Sequence, residues 1–234
     1  MILYARAPAS LPATLMLLTF LDLVGVFVFA LSGGVVAVEK RLDLFGVIFL
    51  AFVAAASGGV ARDILIGAIP PYALQTWTYA ATASAAGLLC QFGHRAILRL
   101  AAPVAVFDAV GLGLFAVVGA RKALDAGLSP LMASMLGMIT AIGGGMARDI
   151  LTAQTPMVLQ REIYALAALL GAAVVSLADW SGLPGTPAAL LGAALAMGLR
   201  LLALSRRWNL PVARPKPRIR PKRRAAREDE PGEG

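Results

Sequence analysis

The sequence contains one nine-residue segment twice, each time inside an apolar stretch. Residues 57–65 read SGGVARDIL, and residues 143–151, which lie 86 positions later, read GGGMARDIL. The same offset relates Asp22 to Asp108 without a gap. An internal repeat of this kind constrains the architecture more than any single motif does. The chain is therefore predicted to consist of two copies of one unit, and each copy places glycines and an Arg-Asp pair within an apolar span.

The composition indicates an integral membrane protein. Hydrophobic residues make up 59% of the chain and charged residues 15%, whereas soluble domains have about 25% charged residues. The single cysteine, Cys90, excludes an intrachain disulfide, and one His with one Cys leaves no usual soft-metal site. We therefore expect no metal and no cofactor. There is no set of catalytic residues or phosphate loop, so an enzyme is not predicted.

Seven apolar stretches approach the ~20 residues that a helix needs to cross the hydrocarbon core. They run at about Leu15–Val38, Leu44–Ile66, Ala73–Gln91, Pro103–Ala123, Pro130–Leu151, Leu159–Leu177 and Pro184–Leu204. Three stretches fall in each copy, and because three is odd, the second copy enters the membrane from the opposite side. The predicted fold is all-α and polytopic, with two inverted three-helix repeats and a seventh helix.

These stretches define the predicted boundaries. The transmembrane domain covers about 15–205, with repeat one at about 15–97, repeat two at about 101–180 and the seventh helix at about 184–204. A tail at 206–234 follows, rich in Pro, Arg and Lys, and is expected to be disordered. The tail is interpreted either as a solvated topology signal or as a segment attracted to anionic lipid headgroups. It lacks interleaved aromatic residues, so nucleic-acid binding is not predicted.

Basic residues predict the orientation, since Lys and Arg collect on the cytoplasmic side. With a cytoplasmic C-terminus, the inner segments hold the tail and Lys40, Arg41, Arg95, Arg99 and Arg161. The outer segments hold only Arg6, Arg121 and Lys122. We therefore predict an inner-membrane protein with its N-terminus outside and its C-terminus in the cytoplasm. Aromatic residues near span ends are expected to anchor at the interfaces: Trp77, Tyr79, Trp180 and Trp208.

Both copies of the repeated segment place glycines in mid-span. Gly58 and Gly59 lie ~21 Å along the second span at 1.5 Å per residue, and Gly143, Gly144 and Gly145 occupy the matching part of the fifth. Tandem glycines let a helix bend or unwind, and two broken helices related by an inverted repeat commonly flank a solute pathway. Glycines in membrane helices also allow close packing, and that interpretation stays open.

An arginine stands one turn beyond the glycines in each copy, at Arg62 and Arg148. An arginine at the centre of a span costs ~2.5–3.5 kcal/mol on insertion scales, so each should face the bundle interior and have a carboxylate partner. The next residues, Asp63 and Asp149, point ~100° away around the helix. We therefore expect the pairs Asp22–Arg62 and Asp108–Arg148. The alternative is that Asp63 and Asp149 offset these charges.

The sequence resembles the prokaryotic trimeric intracellular cation channels. The resemblance rests on the two glycine-Arg-Asp segments, on Phe-x-x-Ser-Gly-Gly at 29–34, and on Asp22 and Asp108 near the start of each repeat. It covers about residues 15–205 and leaves out the tail. It implies seven transmembrane helices, a homotrimer, and an hourglass pore in each protomer that is kinked at the glycine motifs and passes K⁺ and Na⁺. The first copy has Ser57 where the second has Gly143, so the two kinks are expected to differ.

The resulting hypothesis is a passive monovalent-cation channel embedded in membrane lipids. Its expected pore residues are Gly58, Gly59, Arg62, Asp63, Gly143, Gly144, Gly145, Arg148 and Asp149, with Asp22 and Asp108 as intramembrane carboxylate partners. An unpaired arginine repels cations, so the resemblance, and not the composition, selects cations. The alternatives are a secondary transporter of a small solute such as an amino acid, whose carboxylate two arginines could hold, and a non-transporting scaffold protein.

Overall fold

The computed structural model describes residues 13–97, 103–160 and 163–206. These ranges contain helices and turns and no strand. The helices within them are α1 (Ala13–Glu39), α2 (Leu44–Leu65), α3 (Tyr72–Gln75), α4 (Trp77–Ile97), α5 (Pro103–Asp125), α6 (Pro130–Leu151), α7 (Met157–Gln160), α8 (Ile163–Trp180) and α9 (Gly185–Ser205). The predicted properties of the tail fall on residues outside the described ranges, apart from Arg206.

Six of the long helices have the length and hydropathy of membrane spans: α1 from Met16 onward, α2, α5, α6, α8 and α9. Helix α4 has 21 residues, which is long enough to cross, but it is less apolar and packs against α1 and α2. The 22 residues of α2 extend for about 33 Å. The protein is an all-α, polytopic membrane protein.

The third predicted span begins too early. The short helix α3 stands before it, Thr76 is extended, and the long helix α4 starts only at Trp77. In repeat two the described residues form a short helix, α7, before residue 161 and the long helix α8 from Ile163 onward. A side chain of the repeated motif binds the start of each short helix: Asp63 Oδ2 accepts a hydrogen bond from Tyr72 N–H at 2.9 Å, and Asp149 Oδ2 accepts one from Met157 N–H at 3.0 Å. Each bond fixes the start of a separate helical turn, which the apolar pattern alone does not reveal.

The helices pack as two similar units. In repeat one, α1, α2 and α4 contact one another, and in repeat two, α5, α6 and α8 do the same. Equivalent helices meet between the units, α1 against α5 and α2 against α6, and α9 packs on α5 and α8. The two repeats therefore meet mainly through two pairs of equivalent helices, α1 with α5 and α2 with α6.

The α2–α6 contact is a close, reciprocal crossing of glycine on backbone. A Cβ added at Gly58 would collide with the carbonyl oxygen of Thr140, and one added at Gly144 would collide with that of Ala54. These are matching pairs, because the repeat offset takes residue 54 to 140 and residue 58 to 144. At this depth the two helices are therefore in backbone contact, as small residues allow in membrane proteins.

The α1–α5 contact is also reciprocal. The ring of Phe115 lies over Gly25 and the ring of Phe29 lies over Gly111, so that a Cβ on either glycine would meet the opposite ring. The two rings stack with centroids 5.2 Å apart. Buried aromatic and aliphatic side chains thus fill the space between the repeats beside the glycine crossing.

Candidate functional site

The repeated glycines lie on two different faces of their helices, one toward the α2–α6 crossing and one toward the arginine side chains. Helices α2 and α6 are continuous through their glycine motifs, so neither is unwound there. Gly58, Gly143 and Gly144 face the crossing between these helices. By contrast, the nearest atom to a Cβ on Gly59 would be Nη2 of Arg62, at 3.6 Å, so Gly59 leaves space beside the guanidinium. Gly145 occupies the equivalent position in α6. The bending of the two helices remains a prediction.

Arg62 is buried near the end of α2, with 2% of its surface exposed. Its Nε donates to Asp63 Oδ1 at 2.8 Å, and Nη2 of the same guanidinium lies 2.8 Å from that oxygen. The other oxygen of Asp63 holds Tyr72 N–H. One carboxylate therefore fixes the arginine and, at the same time, the loop that follows α2.

Three more side chains complete what we name the Arg62 cluster, which consists of Asp22, Arg62, Asp63, Tyr79 and Lys122. Asp22 accepts a hydrogen bond from the Tyr79 hydroxyl. Lys122 lies over the ring of Tyr72, with Nζ 4.8 Å from the ring centroid, and it is close enough to Asp22 and Asp63 to interact electrostatically. Two cations and two carboxylates thus share one end of the bundle, where α1 begins and α2 and α5 end.

Arg148 occupies the opposite end, with 1% of its surface exposed. Its Nε and Nη2 donate to Asp149 Oδ1 at 2.9 and 2.7 Å. Its Nη1 donates to Asp108 Oδ1 at 2.6 Å and also to the Ser32 hydroxyl, which itself donates to Asp108 at 2.6 Å. We name Ser32, Asp108, Arg148, Asp149 and Tyr164 the Arg148 cluster.

Two oxygens of the Arg148 cluster lack hydrogen-bond partners within the described ranges, namely Asp108 Oδ2 and the Tyr164 hydroxyl. Both border a small space beside Gly145 that is too narrow to hold a water molecule. The Tyr164 ring carries the Arg200 guanidinium on its face, 4.8 Å from the centroid. Helix α9 therefore supplies a second cation to this cluster, as α5 supplies Lys122 to the other.

A larger cavity of about 500 Å³, which we name the vestibule, reaches the Arg148 cluster. It lies where α1 ends, α5 begins and α6 meets the loop to α7. Its lining includes Glu39, Ala105, Arg148 and Asp149 together with the polar side chains of Gln154 and Thr155. Asp149 and Met157 border both the vestibule and the smaller space behind it. The vestibule therefore connects one surface of the bundle with a buried guanidinium.

The structure brings the predicted charged residues together, with one change of partner. The expected contact between Asp108 and Arg148 is present. The expected direct pair Asp22–Arg62 is not formed in this structure: no ion pair joins them in the described part of the chain, Asp22 accepts from Tyr79, and Arg62 is bound by Asp63. The alternative partners, Asp63 and Asp149, contact their arginines although they follow them directly, because a long guanidinium side chain can fold back to the adjacent carboxylate.

Sequence reasoning missed the tyrosines and the serine of these clusters. Tyr79 was expected at the interface but is buried, with 4% of its surface exposed. A detectable signal existed: one residue is deleted from the second copy near Pro156, and the offset of 85 that follows aligns Leu74-Gln75 with Leu159-Gln160 and Tyr79 with Tyr164. Lys122, assigned to an outer segment, lies in the last turn of α5.

Comparison with known proteins identifies the relatives of this chain. The family model described as "Glycine transporter" matches residues 19–95 and 105–180, once for each repeat. A UPF0126 membrane protein of Deinococcus radiodurans is 43% identical over 84% of this chain and 92% of its own length. The UPF0126 inner membrane protein YadS of Escherichia coli K12 is 38% identical, over 83% and 94%.

Solved structures with the same fold are TRIC cation channels. One, from work on conductance through these channels, has 35% identity and a TM-score of 0.78, covering 85% of this chain and 98% of its own. The TRIC trimeric intracellular cation channel orthologue from Rhodobacter sphaeroides has 35% identity and a TM-score of 0.77, covering 82% and 100%. The chain belongs to the TRIC channel family, which includes the UPF0126 membrane proteins. These relatives are membrane proteins and channels and not enzymes, in agreement with the prediction from sequence.

Proposed function

We propose that the protein is a passive channel for monovalent cations, K⁺ or Na⁺, with a pathway inside each protomer. The observation that carries the proposal is the vestibule, which opens at one surface of the bundle and reaches the buried Arg148 cluster. Its equivalent, the Arg62 cluster, stands at the other end of the bundle. The relatives solved as cation channels support the choice of a channel and of cations.

The charge arrangement is compatible with cation passage. Arg148 contacts two carboxylates within 2.7 Å, so its positive charge is locally balanced, and Glu39 adds a negative charge in the vestibule. A fully paired guanidinium repels a passing cation much less than an isolated one would at low dielectric. Buried arginines therefore do not argue against cations once their partners are included.

The glycines are proposed to act in two ways. Gly59 and Gly145 keep space beside the guanidinium groups, and Gly58, Gly143 and Gly144 hold α2 against α6. Because backbone contact at this crossing leaves no room between the helices, opening of the pathway requires α2 and α6 to shift, and a kink at the glycine motifs supplies that motion.

The assembly and location follow from the relatives by analogy. The Rhodobacter relative is trimeric and YadS is an inner membrane protein, and we propose a homotrimer in the inner membrane with its N-terminus outside and its C-terminus in the cytoplasm. In this orientation the vestibule faces the cytoplasm. The tail at 206–234 then lies near anionic headgroups on the same side.

Purified protein in planar bilayers with a KCl gradient tests the proposal. A channel gives unitary current steps that are linear in voltage, and cation selectivity moves the reversal potential toward that of K⁺. Arg148→Ala should change the unitary conductance, with Arg121→Ala as a control in an exposed ion pair. Absence of steps from reconstituted, folded protein would refute the channel.

The description of the matching family model favours a second candidate, a transporter of glycine. The inverted repeats and the buried arginines also fit a carrier that binds the carboxylate of an amino acid. Proteoliposomes distinguish the two candidates. A carrier shows saturable uptake of radiolabelled glycine without current steps, whereas a channel shows K⁺ flux that glycine does not affect.

A further inference from the structure

Equivalent carboxylates in the two repeats have different partners. In the Arg62 cluster, Asp22 accepts a hydrogen bond from the Tyr79 hydroxyl, and Arg62 is bound by its neighbour Asp63. The side chains nevertheless share one neighbourhood, since the Tyr79 ring packs edge-on against Tyr72, with centroids 5.6 Å apart, and Tyr72 N–H is bound by the same Asp63 that holds Arg62. In this repeat the carboxylate holds the tyrosine and not the arginine.

The Arg148 cluster has the opposite arrangement. Asp108 binds Arg148 at 2.6 Å and accepts a hydrogen bond from Ser32. The hydroxyl of Tyr164, which aligns with Tyr79, has no hydrogen-bond partner among the described residues, and neither has the second oxygen of Asp108. Here the carboxylate holds the arginine and not the tyrosine.

The missing tyrosine–carboxylate bond is within reach of a small rearrangement. The Tyr164 hydroxyl lies 3.2 Å, and Asp108 Oδ2 3.6 Å, from the point that a Cβ on Gly145 would occupy. Both oxygens border the same small space. A buried donor and a buried acceptor that are both unsatisfied are unfavourable, so a rotation that joins them is favoured once Arg148 loosens its hold.

We propose that Asp22 and Asp108 exchange partners between a tyrosine and an arginine, and that Tyr79 and Tyr164 are thereby positioning residues for the conduction pathway. Because the two repeats share one fold, the side-chain arrangement seen in one repeat is a conformation that the other repeat can also adopt. In the exchanged state Asp22 binds Arg62 and Asp108 binds Tyr164, while Arg148 stays on Asp149. The link to conduction depends on the proposed channel function.

Ser32 explains why the two repeats differ in the observed state. It bridges Asp108 and Arg148, and the matching position in repeat two is Val118, which cannot form a hydrogen bond to Asp22. The serine therefore favours the arginine-bound form of Asp108, and Asp22 lacks a similar group.

Two matched variants, Tyr79→Phe and Tyr164→Phe, test the exchange, because each removes one hydroxyl. Tyr79→Phe deletes a bond of the observed state and should lower the melting temperature in detergent. Tyr164→Phe deletes a hydroxyl without a partner and should leave that temperature unchanged or raise it. Equal losses from both variants would overturn the assignment of the bonds.

The populations of the two hydrogen-bonding states are measured, independently of conduction, by ¹⁹F NMR of protein labelled with 3-fluorotyrosine. The chain has only 4 tyrosines, so their signals can be resolved. Tyr164 should show a second, minor signal. Tyr79→Phe and Ser32→Ala should each increase its population about tenfold, the effect of one hydrogen bond to a charged group. A single Tyr164 signal that neither substitution changes would overturn the exchange.

Open probability in planar bilayers then tests the positioning role. Tyr79→Phe and Ser32→Ala should shift it in one direction, and Tyr164→Phe should shift it in the other, since these changes destabilise different states. Shifts of the NMR populations without any change in open probability would overturn the positioning role. If no variant and no wild-type protein conducts while the populations shift, the channel proposal fails and the exchange of partners stands.

Discussion

A methyl group added at Gly58 should force α2 away from α6, whereas one added at the adjacent Gly59 should not. The Cβ of Gly58→Ala would be placed 2.0 Å from the Thr140 carbonyl oxygen, and real Cβ contacts essentially never fall below 3.0 Å. The helices must therefore separate by about 1 Å or more. Overpacking of this kind costs about 1–3 kcal/mol. For Gly59→Ala the nearest atom is 3.6 Å away, and the lower backbone entropy of alanine stabilises the helix by up to about 1 kcal/mol.

The two variants are compared by thermal unfolding in detergent, with loss of the monodisperse peak in size-exclusion chromatography as the readout. Both substitutions gain helix propensity to the same extent, so their stabilities should differ by the overpacking cost of about 1–3 kcal/mol, which corresponds to about 2–12 °C for a chain of this size. Gly144→Ala, the equivalent of the first variant, should behave like Gly58→Ala because its Cβ would meet the Ala54 carbonyl oxygen. If Gly58→Ala were as stable as Gly59→Ala, backbone contact at the crossing would be refuted.

Three further substitutions follow from the structure, each measured by the same unfolding assay. Ala153→Gly should stabilise the protein by about 1 kcal/mol, because Ala153 has a φ of 54° where the first repeat has Gly67 with a φ of 73°. Asp149→Asn should destabilise it by about 3 kcal/mol, because the carboxylate is buried and binds both an arginine and the first N–H of α7. Arg121→Gln should cost less than about 1 kcal/mol and its effect should disappear at high salt, because its two carboxylate partners are exposed.

Each of these has a matched control. Gly67→Ala should lower stability by about as much as Ala153→Gly raises it, and similar stabilities for all three proteins would contradict the backbone argument. Asp43→Asn changes a carboxylate to an amide at the exposed start of α2, where asparagine also caps a helix, and should have little effect. An equal loss for Asp43→Asn and Asp149→Asn would contradict the role of burial. A loss for Arg121→Gln that persists in salt would show a role beyond its surface ion pairs.

The repeat made much of the fold predictable from sequence. An offset of 86 residues with three apolar stretches per copy leads directly to inverted three-helix units, and hydropathy locates the long helices within a few residues. The short helices α3 and α7 were not predictable from hydropathy, because each begins at a residue whose backbone N–H donates a hydrogen bond to the carboxylate of Asp63 or Asp149.

The sequence predicted which charged residues form the site, but it did not predict all of the contacts between them. Burial of Arg62 and Arg148 follows from the cost of a guanidinium in lipid, and each must then find a carboxylate. Which carboxylate it finds depends on side-chain direction and on neighbours from other helices, such as Ser32 and Tyr79, that no spacing rule supplies. The sequence also does not reveal that Gly58 contacts α6 whereas Gly59 faces Arg62, because this depends on how α2 and α6 pack.

The most direct test of the conduction pathway is block of single-channel current by a cationic thiol reagent at a cysteine in the vestibule. Ala105→Cys lies in the vestibule lining, Leu166→Cys lies on an exposed, apolar position of α8, and the native Cys90 is buried. We predict that the reagent reduces the current of Ala105→Cys and leaves the wild-type chain and Leu166→Cys unaffected. A modified Ala105→Cys protein that carries full current would contradict a pathway through the vestibule.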